Sequence, residues 1–219
     1  MNARFYLSFA IILITGQNFS AGAQAGAALP QLVKRLDAAT TEAEYKSLAG
    51  EFSKEAEKYK NNWLCAYYTG YCHAAAGFLL NKDGDKVIPY NKAAEEYALK
   101  ALALTDTAHK YELSEVYSLM SMAYRTHIFI SPFRYGKKYS ELSDEYIAKA
   151  KKANPLNPRA LYLEGTDYYF TPRLFGGNKD KGIGILKKAL PLFSSKPVNS
   201  TYPRWGKREC EQVIKMADE

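Results

Sequence analysis

Residues 150–161 read AKKANPLNPRAL, and Gly165 and Tyr168 follow shortly after them. Pro155 comes after a run that ends in Ala and cannot continue a helix. Pro158 is well suited to the first turn of a new helix, because its missing N–H group would have no partner there in any case. The stretch therefore predicts two helices joined by a short turn.

The register of this junction is that of a tetratricopeptide repeat. In such a repeat one helix ends with Ala and then Pro, and the next carries a large apolar residue, a small residue and an aromatic residue. These places are taken, in order, by Ala150, Pro155, Leu161, Gly165 and Tyr168. The junction therefore predicts an all-α fold, a tetratricopeptide-like solenoid of helical hairpins.

Helical periodicity continues along the rest of the chain. No stretch alternates apolar and polar residues over enough positions to predict a sheet. Thr41 and Glu44 have the spacing of a capping box at the start of a helix. Predicted helices lie at about 30–39, 42–59, 62–80, 110–130, 137–153, 158–170, 179–193 and 203–216, and a further helix after the turn at 81–85 carries Ala94, Tyr97, Ala98 and Ala101. The pattern predicts about four helix pairs followed by a C-terminal capping helix.

The N-terminus has the features of a secretory signal peptide. Arg4 precedes the apolar run at residues 5–15, and small residues follow. We expect a signal peptide at 1–23 with cleavage near 23–25, which leaves residues 26–219 as a single domain. The apolar run is too short to span a bilayer, so the mature chain is expected to be periplasmic or secreted and not membrane-spanning.

The positive charge is concentrated in one part of the sequence. The formal net charge is +7, and the excess of Lys and Arg lies between Arg134 and Lys196. Export makes nucleic acid a poor candidate for the partner of this basic region. Cys65 and Cys72 are too far apart along one helix to be bridged, and Cys210 could reach one of them only if the last helix packs there.

Two connections, residues 131–138 and 171–179, are longer than a standard repeat allows. Both join the first to the second helix of a pair, so stacking would place them on the same edge, where inserts often form a binding rim. They predict a basic rim that could receive an acidic protein, a glycan or a phospholipid headgroup. Its residues are Arg134, Lys137, Lys138, Arg173, Lys179 and Lys181. The alternatives are an ordinary solvated rim and loops that only pack over the helix ends.

A second set of candidates follows from the repeat register. Arg159, Tyr162, Thr166 and Tyr169 fall where repeat side chains usually line the concave groove. Tyr offers a large apolar area with a polar tip, which suits a peptide or a ring-bearing ligand. The alternative is that these residues pack the helices together.

The sequence contains no recognisable catalytic or metal site. His73, His109 and His127 show no metal-ligand spacing, and we expect no cofactor. Glu164 and Asp167 lie three residues apart and could form a carboxylate pair with perturbed pKa values. We expect nearby Lys or Arg side chains to neutralise them instead.

These motifs together resemble a family. The chain is similar to exported tetratricopeptide-type proteins of Gram-negative bacteria, and the resemblance implies a periplasmic helical repeat protein without a known activity. Tyr117 departs from the pattern, because a small residue is usual at its place. The residues that carry the resemblance are 157–169, 171–172, 175–177, Lys181, Pro203, Trp205 and Gly206.

The sequence leaves three hypotheses for function. The first is a non-enzymatic scaffold that holds a protein or peptide partner in the cell envelope with its Tyr-lined groove and basic rim. The second is an accessory subunit that carries a small hydrophobic or anionic ligand for a periplasmic transport system. The third, an enzyme, has no residue pattern in its favour.

Overall fold

The computed structural model describes residues 28–194 and 200–219, and the predicted signal peptide at 1–23 lies outside them. Nine α-helices and no strand are present in these described residues. The helices are α1 (Leu29–Ala38), α2 (Glu42–Lys58), α3 (Trp63–Leu79), α4 (Gly84–Leu104), α5 (Lys110–Ile130), α6 (Pro132–Ala153), α7 (Pro158–Phe170), α8 (Lys179–Ala189) and α9 (Lys207–Asp218).

Consecutive helices pack as hairpins. The pairs are α1 with α2, α3 with α4, α5 with α6 and α7 with α8. The first helices of successive pairs also touch, because α3 contacts α5 and α5 contacts α7. The predicted all-α arrangement of helical hairpins is thus confirmed, while the tetratricopeptide assignment stays a prediction.

Local signals placed several helix ends correctly. The side chain of Thr41 accepts from the N–H of Glu44, and the Glu44 carboxylate accepts from the N–H of Thr41, so the capping box at the start of α2 is complete. The bounds of α5 and α7 are those expected from the periodicity. At the start of α7 the Asn157 side chain accepts from the N–H of Arg159.

The predicted connection at residues 131–138 is wrong, because α6 already begins at Pro132. Pro in the first turn of a helix starts it without losing a hydrogen bond. Gly136 lies inside the helix, where a Cβ would meet no atom within 4 Å. Pro132 and Gly136 therefore belong to a longer helix rather than to a loop.

The junction between α6 and α7 is stabilised by a network of buried polar side chains. The guanidinium of Arg159 donates to both carboxylate oxygens of Glu115, at 2.5 and 2.7 Å. Both residues are buried. The Asn157 side chain donates to Ser114 Oγ, whose hydroxyl donates to the carbonyl of Ala150. The network joins α5 to the end of α6 and the start of α7.

The C-terminal helix begins later than expected, at Lys207 instead of Pro203. Cys210 and Val213 of α9 pack with Leu186 and Ala189 of α8 in a small cluster of buried residues. The thiol of Cys210 lies 3.5 Å from the carbonyl of Leu186 and is free, as are the buried thiols of Cys65 and Cys72. Cys210 therefore packs against α8 without a disulfide.

Within the described residues, no helix combines the length and the apolar character that crossing a membrane requires.

Candidate functional site

A cleft of about 340 Å³ opens between α6, α7 and the segment that follows α7. We call it the α6–α7 cleft. Its α6 wall is built on helical spacing, since Ser140, Asp144, Ile147 and Lys151 recur on one face. Tyr168 of α7 and Phe175 of the following segment also line it.

The segment between α7 and α8 forms one side of this cleft. A short 3-10 turn at Arg173–Phe175 ends at Gly176, whose φ of 91° is in the left-handed region. Gly177 could not be another residue, because a Cβ there would lie 1.7 Å from the carbonyl oxygen of Thr171. Asn178 then caps α8 by accepting from the N–H of Lys181. The backbone thus places Phe175 at the edge of the cleft.

The floor of the cleft carries paired charges. The guanidinium of Arg125 lies against the carboxylate of Asp167. Burial lowers the pKa of Arg125 to about 10, while the nearby Asp144 carboxylate acts in the opposite direction. Burial also raises the pKa of Asp144. The interior is therefore polar but largely balanced in charge.

Glu164 and Asp167 do not form the catalytic carboxylate pair that the sequence raised. The Nζ of Lys151 donates to both oxygens of Glu164, at 2.7 and 2.8 Å, and Asp167 faces Arg125. The expectation that basic side chains neutralise them is confirmed. Among the residues that the structure describes, no group of His, Cys, Asp and Glu is arranged to hold a metal ion.

Large apolar side chains are exposed on α6 and on the segment that follows α7. Phe175 is 75% exposed and Leu174 beside it 87% exposed. Phe133, fully exposed, lies seven residues before Ser140 and so shares its face of α6, roughly 10 Å along the axis. Of these three side chains Phe175 lines the cleft itself, and exposed apolar area at a cleft is typical of a binding surface.

The six basic residues predicted for the rim lie on α6, on α8 and in the segment between α7 and α8, and none of them lines the cleft. Lys137 lies three residues before Ser140, on the cleft side of α6, and Arg173 lies in the same short turn as Phe175. The Nζ of Lys181 is 3.7 Å from the ring centroid of Tyr168. These cations have no carboxylate within 4 Å among the described residues.

The other three predicted rim residues lie over neighbouring rings. Arg134 is 5.3 Å from the ring centroid of Tyr135, and Lys138 is 4.9 Å from that of Tyr139. Lys179 lies 5.4 Å from the ring of Tyr169. A role of the rim in binding stays a prediction.

The four predicted groove residues are engaged within the protein. Arg159 binds Glu115 as described above, and the buried hydroxyl of Thr166 donates to the carbonyl of Leu163. Tyr169 packs in the cluster between α8 and α9. The ring of Tyr162 lies edge-on to Trp205, with centroids 6.3 Å apart. Partner binding by these residues stays a prediction.

The sequence did not indicate that a segment near the C-terminus packs against Tyr162 and the helices around it. Residues 201–208, here called the C-terminal strap, precede α9 and include its first two residues, and they contact α1, α3, α5 and α7. Tyr68 of α3, for example, donates to the carbonyl of Thr201 at 2.7 Å. The aromatic residues Tyr202 and Trp205 were the only available signal, because such long-range contacts leave no local pattern.

A second cleft, of about 390 Å³, lies beside the strap. Tyr45 and Tyr71 line it on one side, and Trp205 on the other. Its charged residues are paired, since Arg204 binds Asp37 at 2.6 Å. None of the exposed large apolar side chains lines it. The α6–α7 cleft is therefore the better candidate for an amphipathic small ligand.

Comparison with solved structures finds a similar protein. The HusA haemophore from Porphyromonas gingivalis matches with 30% sequence identity and a TM-score of 0.75. The match covers 89% of this chain and 93% of that chain. No family model matches the chain, and no curated protein does.

Proposed function

We propose that this chain, which belongs to the same family as the HusA haemophore, is an exported, non-enzymatic binding protein for haem or a closely related tetrapyrrole. The observation that carries the proposal is the edge of the α6–α7 cleft, where the exposed ring of Phe175 lies in the same short turn as the basic side chain of Arg173. Export rests on the predicted signal peptide at residues 1–23.

Haem is a planar apolar ring that carries carboxylates at its edge, and the cleft offers a counterpart to each part. Ile147, Tyr168 and Phe175 provide apolar and aromatic contact for the ring. Arg173 and Lys181 stand where they could bind the carboxylates. The volume of about 340 Å³ lies within the usual range of small-ligand sites.

This proposal modifies the hypotheses that the sequence left. A protein that carries a small ligand is closer to the ligand-binding subunit of an uptake system than to a scaffold for a partner protein. The basic rim keeps a role, because it would bind the acidic edge of the ligand. We propose a periplasmic or secreted location, where such a ligand would be captured.

The apolar part of the proposal can be tested by titrating haem into the mature protein and following its absorbance. Phe175→Ala should weaken binding by about tenfold, which corresponds to ~1.4 kcal/mol. The matched control is Leu99→Ala, which removes a 45% exposed side chain from α4. Equal affinities for the two variants would contradict the assignment of the cleft.

The basic part can be tested separately with a charge variant. Arg173→Gln combined with Lys181→Gln should weaken haem binding about tenfold, because carboxylate contacts are lost. The same variant should bind the dimethyl ester of haem, which lacks these carboxylates, as well as the wild type does. The control pair is Lys92→Gln with Lys100→Gln on α4. A loss of both ligands alike would mean that the rim does not recognise carboxylates.

A further inference from the structure

The first helices of two neighbouring hairpins, α3 and α5, run parallel and in register. A Cβ on Gly70 of α3 would lie 3.3 Å from the side chain of Leu119 of α5. Seven residues later on α3, a Cβ on Gly77 would lie 3.3 Å from Thr126, which is also seven residues later on α5. The C-terminal ends of α3 and α5 therefore lie at the same end of the stack.

The next first helix, α7, points in the same direction as α5. Near the start of both helices Arg159 of α7 binds Glu115 of α5. Toward their ends Asp167 of α7 lies against Arg125 of α5. The C-terminal ends of α3, α5 and α7 thus share one end of the stack, and the connections that follow them lie at that end.

These three connections and the adjoining helix turns form one edge of the molecule, here called the turn edge. A Cβ on Gly84, at the start of α4, would lie 2.6 Å from the carbonyl oxygen of Ile130 at the end of α5. Ser140, two residues beyond the second segment, and Phe175 of the third both line the α6–α7 cleft. The three segments are therefore neighbours. They comprise residues 79–88, 131–138 and 170–181.

Large apolar side chains are exposed in each segment of the turn edge. Phe133 is fully exposed, and Leu174 is nearly so. Leu79, Phe170 and Phe175 are each more than half exposed. Contiguous apolar exposure of this kind marks surfaces that contact a protein or a membrane.

The opposite end of the same helices differs from the turn edge. Its connections are residues 59–62, 105–109 and 154–157, all of which the structure describes. Among these residues Leu156 is the one exposed large apolar side chain. Apolar exposure is therefore a property of the turn edge and not of helix ends in general.

Positive charge accompanies the apolar groups. The turn edge contains eight Lys and Arg residues and three Asp residues, which gives a net charge of +5. All eight basic side chains are exposed. Asp83 pairs with Lys86 at 2.8 Å. The edge is thus complementary to an anionic surface that also offers an apolar interior.

We propose that the turn edge is a membrane-contacting surface, which inserts Phe133 and Leu174 among the headgroups of an anionic lipid bilayer while the surrounding Lys and Arg side chains bind lipid phosphates. Neither of these two side chains lines the α6–α7 cleft or the cleft beside the strap. Apolar groups that protrude in this way suit a deformable lipid surface, whereas anchors of protein interfaces fill fitted pockets. The contact is peripheral and does not depend on haem binding.

The test uses the full mature chain and its sedimentation with vesicles. Vesicles that contain phosphatidylglycerol should bind the protein about tenfold or more tightly than vesicles of phosphatidylcholine alone, because only the former are anionic. Phe133→Ser with Leu174→Ser should weaken binding to the anionic vesicles by about tenfold or more. Circular dichroism shows that the variant has kept its helices.

The matched control for the apolar groups is Leu99→Ser with Leu156→Ser, which should bind as the wild type does. Both side chains are exposed. Leu99 lies fifteen residues after Gly84, roughly 20 Å along α4 from the turn edge, and Leu156 lies at the opposite end of the stack.

The basic side chains are tested with a second pair of variants. Lys82→Gln with Arg134→Gln should weaken binding to the anionic vesicles about tenfold, and added salt should weaken binding of the wild type. The control pair, Lys92→Gln with Lys100→Gln on α4, should bind nearly as the wild type does.

Insertion is measured separately with Phe133→Trp. Lipids with brominated acyl chains should quench the fluorescence of this variant, but not the added fluorescence of Leu156→Trp. Binding to neither kind of vesicle would overturn the proposal and leave an acidic protein as the partner of the edge. Binding that the Phe133 and Leu174 substitutions do not change would also overturn it. Dimers that this variant loses, formed by a wild type that binds no vesicles, would assign the edge to a second copy instead.

Discussion

Gly165 lies where α7 crosses α8, and neighbouring atoms already fill the space that a side chain would need. A Cβ at this position would be 2.7 Å from Cγ of Leu186 and 3.1 Å from the carbonyl oxygen of Gly182. The close packing of α7 on α8 thus explains why a small residue, Gly165, stands at this position of the repeat pattern. It permits the two backbones to approach closely.

Gly165→Ala should therefore destabilise the protein by ~1–3 kcal/mol through overpacking. Gly184→Ala is the matched control, because a Cβ there meets nothing within 4 Å, and Ala in a helix should be neutral or stabilise by up to about 1 kcal/mol. Urea unfolding measures both. Equal stabilities of the two variants would contradict the close crossing of α7 and α8.

Arg159 was predicted as a groove residue, and its contacts indicate that it also contributes to the stability of the fold. Arg159→Ala leaves the Glu115 carboxylate buried without its partner, which should cost ~3–5 kcal/mol. Urea unfolding again gives the value. A variant as stable as the wild type would show that the ion pair does not hold the junction.

The cysteines give a prediction about reactivity. Burial raises the pKa of Cys65 and Cys210 to about 11, and raises that of Cys72 well above its usual value. The thiolate is the reactive form, so iodoacetamide should not modify the native protein near neutral pH. All three should react in urea, as counted by mass spectrometry. Rapid labelling of the folded chain would contradict the buried positions.

At the scale of the helix, the capping box of α2 offers a clean comparison between adjacent threonines. Thr41→Ala removes the acceptor for the N–H of Glu44 and should cost about 1 kcal/mol. Thr40→Ala is the control, because its hydroxyl is 3.5 Å from the Glu44 carboxylate and caps no backbone group. If thermal unfolding shows the same loss for both, the cap does not stabilise α2.

The helices were largely predictable because their signals are local. Caps, Pro positions and apolar spacing are all read within one or two turns, and they placed α5 and α7 correctly. The start of α6 was missed because Pro132 and Gly136 suit a loop as well as a helix start. The cleft itself was not predicted, because the rim residues Arg173 and Lys181 do not line it and nothing local revealed that Phe175 stays exposed at its edge.

At the scale of the whole molecule, the strap connects the C-terminal part of the chain to α1 and α5. Its contacts with α1 and α5 link residues 90 or more positions apart, such as Tyr202 with Glu112 and Asp37 with Arg204. Periodicity cannot reveal pairings of this kind, which depend on the completed stack. The same stack of helices also carries the α6–α7 cleft, whose lining includes no residue of the strap.

The central claim is that the α6–α7 cleft is where the protein binds a tetrapyrrole, and mapping haem binding by amide chemical shifts tests it most directly. The account predicts shifts at residues 133–151 and 164–177, with those of Ile147, Tyr168 and Phe175 among the largest. Trp205 and the residues around Tyr71 should remain unchanged. Shifts confined to the cleft beside the strap, around Tyr45, Tyr71 and Trp205, would contradict it.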